Sequence, residues 1–220
     1  MRVLIIGAGS MGRGIARRLA SGNNTITLFD VDPAKSEAVA SDLGGSRPGG
    51  ARVAIAETPS EAVPENDITI LASWYAANLD VARKLGQELD GRIVVDISNP
   101  LNETYDGLVT PPGTSAAETI RSVLPQGAKL VKAFNTTFAA TLLTGHVGGQ
   151  PLDVFIAGDD EHARQSVIEL VRSGGLNPVD VGELKRAREL EALGFLGITL
   201  QGRLGTNFMS GWKLMIPAHA

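Results

Sequence analysis

The 220-residue sequence has no cysteine, three histidines and few aromatic residues, and each shortage removes a class of chemistry. Without cysteine there are no disulfides, no thiol nucleophile and no thiolate metal site. His146, His162 and His219 are scattered and lack the spacing of metal ligands, so no metal is expected. Aromatics make up 5% of the chain, which favours recognition by backbone loops over aromatic cages. The formal net charge of −4 gives no basic surface for nucleic acid. No apolar run approaches the roughly 20 residues needed to cross a bilayer, and the apolar run at Val3 to Ile6 is too short for a signal peptide. A membrane partner is therefore not expected, and the reading is cytoplasmic. What the chain does have is 43% apolar residues and 26 glycines, the composition of a globular protein with many tight turns.

Short β-branched runs alternate with helix-like segments. The runs are Val3 to Ile6, Thr25 to Phe29, Arg52 to Ala56, Asp67 to Ala72, Arg92 to Ile97, Lys129 to Phe134, Asp153 to Ala157 and Pro178 to Val181. Several are apolar on both faces, as strands covered by helices on both sides of a parallel sheet should be. Helices are expected over Met11 to Ala20, Pro33 to Ser41, Leu79 to Leu89, Ser115 to Val123 and Glu161 to Gly174, the last capped by Asp160. The pattern predicts an α/β fold with a doubly wound, mainly parallel sheet of about eight strands. After Val181 it changes to one helical stretch from Glu183 to about Gly205, with Leu184, Leu190, Leu193, Leu196 and Leu200 near helical spacing. The expected division is a nucleotide-binding unit over 1–182 and a C-terminal helical segment over 183–220.

Gly7-Ala8-Gly9-Ser10-Met11-Gly12 follows the first strand and opens the first helix, the context that makes a glycine pattern a Rossmann-type dinucleotide fingerprint. Gly7 serves the tight turn, Gly9 leaves room for a pyrophosphate, and Gly12 lets helix and strand pack closely. Ser10 and Met11 offer backbone N–H groups at the helix N-terminus. Asp30 ends the second strand, where a carboxylate accepts hydrogen bonds from the adenosine ribose and repels a 2′-phosphate. Read alone, it favours NAD over NADP. Asp32 reads as an N-cap because Pro33 follows it, and Arg13 and Lys35 are the nearby cations that could meet a 2′-phosphate.

Ligands in such sheets bind beyond the carboxyl ends of the strands. Those ends read Ser73-Trp74-Tyr75, Ser98-Asn99-Pro100 and Asn135-Thr136-Thr137, a polar but uncharged set. Tyr75 and Lys132 are the titratable groups nearby, and both read as structural. No catalytic acid or base is therefore assigned, and the expected role of the protein is positioning alone. Few residues remain after Val181 for the helical substrate domain that hydroxyacid, prephenate or pyrroline-carboxylate reductases add. A second, flat redox carrier stacked on the nicotinamide needs only proximity and orientation.

Six segments in unbroken order carry a resemblance. They are the glycine loop, Val94 to Pro100, Gly113 to Glu118, Val131 to Thr136, Phe155 to Asp160 and Ala187 to Glu191. Together they resemble the NADPH-dependent 8-hydroxy-5-deazaflavin (coenzyme F-420) reductases, also called deazaflavin-dependent NADP oxidoreductases, from Met1 to about Gln201. The same motifs are similar to the oxidoreductase domain of membrane ferric reductases. The resemblance implies hydride transfer between NADP(H) and F-420, with the nicotinamide near Ser73, Trp74, Asn99 and Asn135. It places the deazaflavin in a pocket closed by Thr136, Thr137 and the helix around Leu193 to Leu196. That family reads the 2′-phosphate with small polar and basic residues after the second strand, where this chain has Asp30-Val31-Asp32, so NAD stays open as the dinucleotide. Reduction of an ordinary flavin or ferric chelate, and a dinucleotide-binding sensor without turnover, are the other readings. The apolar C-terminal helix also suits a homodimer.

Overall fold

The computed structural model describes residues 1–44 and 53–216. Arg52 and His219 lie outside them, so the third strand is seen as Val53–Ile55. The strands are β1 (Arg2–Ile6), β2 (Thr25–Phe29), β3 (Val53–Ile55), β4 (Ile68–Leu71), β5 (Ile93–Asp96), β6 (Lys129–Lys132), the short hairpin β7 (His146–Val147) and β8 (Gln150–Pro151), β9 (Asp153–Gly158) and β10 (Asn177–Gly182). The helices are α1 (Ser10–Ser21), α2 (Pro33–Gly44), α3 (Pro59–Ala62), α4 (Tyr75–Leu85), α5 (Ala116–Val123), α6 (Ala139–Thr144), α7 (Glu161–Ser173) and α8 (Ala187–Leu204). Eight strands form one sheet in the order β10-β9-β6-β5-β4-β1-β2-β3, parallel except where β9 meets β6. The order reverses between β1 and β4, which is the switch point where doubly wound sheets bind nucleotides.

The apolar runs form strands because both sheet faces are covered. In β1, Val3 and Ile5 join a core with Ile15 and Leu19 of α1 and Val167 and Leu170 of α7. Leu4 and Ile6 face the other way, onto Leu85, Ile120 and Ala187. Side chains alternate along a strand, so one residue of slippage would exchange the two cores. Asp160 caps α7 as expected, its Oδ1 accepting from Ala163 N–H at 2.8 Å.

The last segment departs from its reading. A short 3₁₀ turn over Leu184–Arg186 precedes α8, and the helix ends at Gly205 in the left-handed region (φ 62°). Its buried face is Ala187, Leu190, Glu191, Gly194, Gly197 and Gln201. The leucine stripe lies only partly on that face: Leu184 and Leu190 are buried, Leu193 and Leu200 half-buried, and Leu196 is 48% exposed. The reason is steric: a Cβ on Gly194 would lie 2.6 Å from Asn99 Oδ1, so only a glycine face lets the helix come this close. Gln201 then gathers the chain behind the helix, its Oε1 accepting from Thr206 Oγ1, Phe208 N–H and Ser210 Oγ.

Asp153 pins the tail. Its carboxylate accepts from Lys213 Nζ at 2.5 Å, Asn177 Nδ2 at 2.7 Å and Leu214 N–H at 2.8 Å. Burial would raise its pKa, but Lys213, Asn177 and the Leu214 N–H outweigh it and hold the pKa below the ordinary 3.8. A depressed carboxylate pKa stabilises the fold above the unfolded value and loses that contribution as pH falls through the folded one. The tail is therefore expected to detach in acid below pH 3.8 and stay docked at neutrality. Emission of Trp212, which packs on Gly197, reports this in a Trp74→Phe background. Asp153→Asn is expected to loosen the tail at neutral pH as well.

Candidate active site

Because β2, β1, β4, β5 and β6 run parallel, their carboxyl ends share one edge of the sheet. That edge gathers the glycine loop, Asp30, Ser73, Asn99 and Asn135. Gly7 adopts φ +110°, and a Cβ there would meet the Ala72 carbonyl oxygen at 2.7 Å. A Cβ on Gly12 would lie 1.9 Å from the Gly7 carbonyl oxygen, so the helix touches the turn. Gly9 is different, since among the described residues nothing lies within 4 Å of its Cβ position. None of them demands a glycine there. The open space sits beside the first turn of α1, whose leading N–H groups, including those of Ser10 and Met11, have no intrahelical acceptor.

Asp30 is turned inward. Its Oδ2 accepts from Ala8 N–H at 2.8 Å and its Oδ1 from Asp32 N–H at 2.9 Å, with Lys35 Nζ 3.9 Å from Oδ1. The carboxylate thus ties the glycine loop to the end of β2. Asp32 caps α2 as read, accepting from Ala34 N–H at 3.2 Å. Arg13 pairs with Asp42 at 2.5 Å.

The strand-end amides form a reciprocal pair. Asn135 Nδ2 donates to Asn99 Oδ1 at 2.9 Å and to the Leu190 carbonyl at 2.8 Å, while Asn99 Nδ2 donates to the Asn135 carbonyl at 2.8 Å. The turn that carries Asn135 is strained: Phe134 is fully buried at φ 63°, a left-handed conformation costing a non-glycine residue about 1–2 kcal/mol. Its carbonyl is held by Thr137 N–H and Oγ1, at 3.0 and 2.7 Å. Asn135 Oδ1 and Thr136 Oγ1 are buried without a hydrogen-bond partner among the described residues, which native interiors tolerate mainly where a ligand or water completes the set.

Trp74 is not a core residue. It is 64% exposed and meets Tyr105 edge-to-face with centroids 6.3 Å apart, so two aromatic rings stand at the ends of β4 and β5. Ser73 is held through its N–H by Asn78 Oδ1 at 3.1 Å. Tyr75, the first residue of α4, packs partly buried against the core. Within the stretch Leu193 to Leu196, Gly194 lies against the amides.

Sequence reasoning missed what lies underneath. Lys132, fully buried, donates to Asp96 Oδ2 at 2.7 Å, to Glu191 Oε1 at 2.8 Å and to the Ser98 carbonyl. Burial works against its ammonium, but Asp96 and Glu191 more than offset that and raise its pKa above the ordinary lysine value. Burial raises the Glu191 pKa too, against the pull of Lys132 and the Ala116 N–H. Two carboxylates facing one ammonium favour keeping protons in the cluster. Asn78, Tyr105 and Gly194 were also missed. Asn78 had a faint signal, since it lies at helical spacing with the buried Ala82 and Leu85.

A dinucleotide fits this edge. Gly9 leaves space that would admit a pyrophosphate, the N-terminus of α1 supplies donors, Asp30 ends β2 beside that loop, and the free acceptor of Asn135 would match a carboxamide N–H. None of the described residues form a group of three or more that could hold a metal ion, and no described helix is long and apolar enough to cross a membrane.

Comparison with known proteins agrees with this reading. Residues 2–100 match the family model described as NADP oxidoreductase, coenzyme F420-dependent. The chain is 32% identical over 203 residues to an F420-dependent NADP reductase of Methanocaldococcus jannaschii, covering 88% of this chain and 89% of that one. It is 31% identical over 192 residues to the metalloreductase STEAP3 of Rattus norvegicus, but spans only 36% of that protein. A crystal structure assigned as an F420-dependent NADP-reductase from Arthrobacter sp. FB24 superimposes with a TM-score of 0.78 at 29% identity, covering 94% and 96% of the two chains. An imine reductase from Myxococcus stipitatus, at 18% identity and a TM-score of 0.68, shares the fold. With the fold, the glycine loop and near full-length similarity in agreement, the chain belongs to the coenzyme F420-dependent NADP oxidoreductase family.

Proposed function

We propose that this protein transfers a hydride between NADP(H) and the deazaflavin coenzyme F420. The observation that carries the reading is one edge holding both an open phosphate cradle at Gly9 and an uncharged amide pair at Asn99 and Asn135 with a spare acceptor. The reduced nicotinamide supplies the hydride, and the oxidised deazaflavin takes it up with one proton from water. The chain's own part is placement. Gly7, Gly9, Ser10, Met11 and Gly12 bind the pyrophosphate through backbone, Asp30 meets the adenosine ribose, and Ser73, Asn99 and Asn135 orient the nicotinamide carboxamide. Thr136, Thr137, Trp74 and residues 183–216 bound the pocket for the second ring. No side chain needs to move a proton at the reacting carbon, which suits a strand-end set without charge.

Exposed apolar residues along α8 and the tail, including Leu196, Leu204, Met209 and Met215, suit a homodimer interface, and the protein is read as cytoplasmic. The metalloreductase similarity gives a second reading, reduction of a flavin or ferric chelate. The deciding assay mixes purified protein with NADPH or NADH and oxidised F420. Bleaching of the deazaflavin absorbance is expected. Turnover with flavin mononucleotide or a ferric chelate but not F420 selects the second reading, and tight dinucleotide binding without any turnover makes the protein a sensor.

A further inference from the structure

Lys132, Asp96 and Glu191 form a buried ion cluster that the hydride reaction does not use, and its hydrogen bonds show what it joins. Asp96 Oδ1 accepts from Ser98 N–H at 3.1 Å, Ser98 Oγ at 2.8 Å and Asn78 Nδ2 at 3.0 Å. Asn78 in turn holds the N–H of Ser73. Lys132 reaches across to the Ser98 carbonyl. On the far side, Glu191 accepts from Ala116 N–H at 2.8 Å and Ala117 N–H at 3.2 Å, the first turn of α5. One continuous network therefore links the loops after β4 and β5 and the end of β6 to α5 and α8. Stability alone is a poor account of it, because a buried ion cluster is often no better than well-packed apolar side chains.

The position of Glu191 on α8 is the telling feature. Its neighbour Leu190 lends its carbonyl to Asn135 Nδ2, and Gly194, about one turn on, lies against Asn99. The helix turn that touches the amide pair is the turn that Glu191 anchors to Lys132. We propose that Glu191 is a positioning residue: its ion pair with Lys132 docks α8 onto the Asn99–Asn135 pair and so sets the wall against which the second ring is placed. The kinetic part of this rests on the hydride-transfer reading above; the docking part does not.

Glu191→Gln removes the charge that holds Lys132 while keeping an oxygen for the α5 N–H groups, and Glu191→Asp keeps the charge on a shorter arm. Three readouts are compared with the parent protein: dinucleotide Kd from nicotinamide fluorescence, kcat and KM for F420, and hydrogen exchange of the α8 and α1 amides. In Glu191→Gln, kcat/KM for F420 is expected to fall about tenfold or more while the dinucleotide Kd changes less than about twofold. α8 should lose exchange protection and α1 should keep it. Glu191→Asp should recover most of both losses. Unchanged α8 protection in Glu191→Gln overturns the proposal, as does an equal loss of dinucleotide affinity and F420 turnover. Equal damage by Gln and Asp also overturns it, since charge would then not be what docks the helix. If the parent reduces no F420, the activity reading fails instead, and the exchange pattern still decides whether Glu191 docks α8.

Discussion

Gly9→Ala is expected to fold like the parent protein and to bind dinucleotide about a hundredfold more weakly, roughly 2.7 kcal/mol. Gly12→Ala, three residues away, is expected to lose both binding and stability. The two glycines belong to one motif, yet their surroundings oppose each other. Gly9 has φ −69°, a conformation open to any residue, and empty space where its Cβ would be. An added methyl there touches no protein atom and occupies volume that a pyrophosphate needs. Gly12 has the Gly7 carbonyl oxygen 1.9 Å from its Cβ position and Ala72 Cβ at 3.6 Å. Carbonyl oxygens of a strand-end turn do not swing aside as a flexible side chain would. Helix α1 must therefore back away, at a cost of about 1–3 kcal/mol or more. A thermal melt paired with a fluorescence titration of NADH and NADPH separates the cases. A normal Kd in Gly9→Ala would mean that the space beside α1 is not the phosphate site.

That contrast also shows how far the sequence reaches. The spacing of Gly7, Gly9 and Gly12 after an apolar run marks a strand, a turn and a helix, and local periodicity suffices to place β1, β4 and α7 within a residue or two. What local pattern cannot carry is the partner of a side chain far away in sequence. Glu191 sits on α8 among leucines that outnumber it and mark the helix by their spacing, yet of the leucines of α8 only Leu190 shares its buried face. Its burial is decided by Lys132, 59 positions earlier, and by the α5 N–H groups at Ala116 and Ala117. Gly194 and Gly197 were the overlooked signal, because small residues recur where a helix comes close to a neighbour, but nothing local says that one meets the Asn99 amide and the other the Trp212 and Phe138 rings. Trp74 illustrates the same limit. Its exposure depends on where Tyr105 falls in the long loop after β5, and that loop has no period to read. Asp30 ends the second strand in the sequence pattern as in the structure, but its direction was not legible, because the Ala8 N–H across the turn sets it.

That direction makes Asp30→Asn the most informative charge change in the protein. It is expected to shift the ratio of NADPH to NADH affinity toward NADPH by about 10- to 100-fold, because a carboxylate some 6 Å from a phosphate at an effective dielectric near 20 opposes it by about 2–3 kcal/mol before screening. Asparagine keeps a carbonyl oxygen to accept from the Ala8 N–H, so the glycine loop stays tied to β2. It loses the second acceptor, now serving Asp32 N–H, and that loss weakens both dinucleotides alike. The ratio therefore reports charge, while the individual constants report loop order. Lys35, 3.9 Å from Asp30 Oδ1, gives the opposing control. With Asp30 neutral its ammonium is released from that carboxylate and can turn to a 2′-phosphate, so adding Lys35→Ala to Asp30→Asn should cancel much of the gain. If the ratio in Asp30→Asn equals that of the parent, the carboxylate is fully spent on the loop N–H groups, and the 2′ position of the ribose is read by other residues.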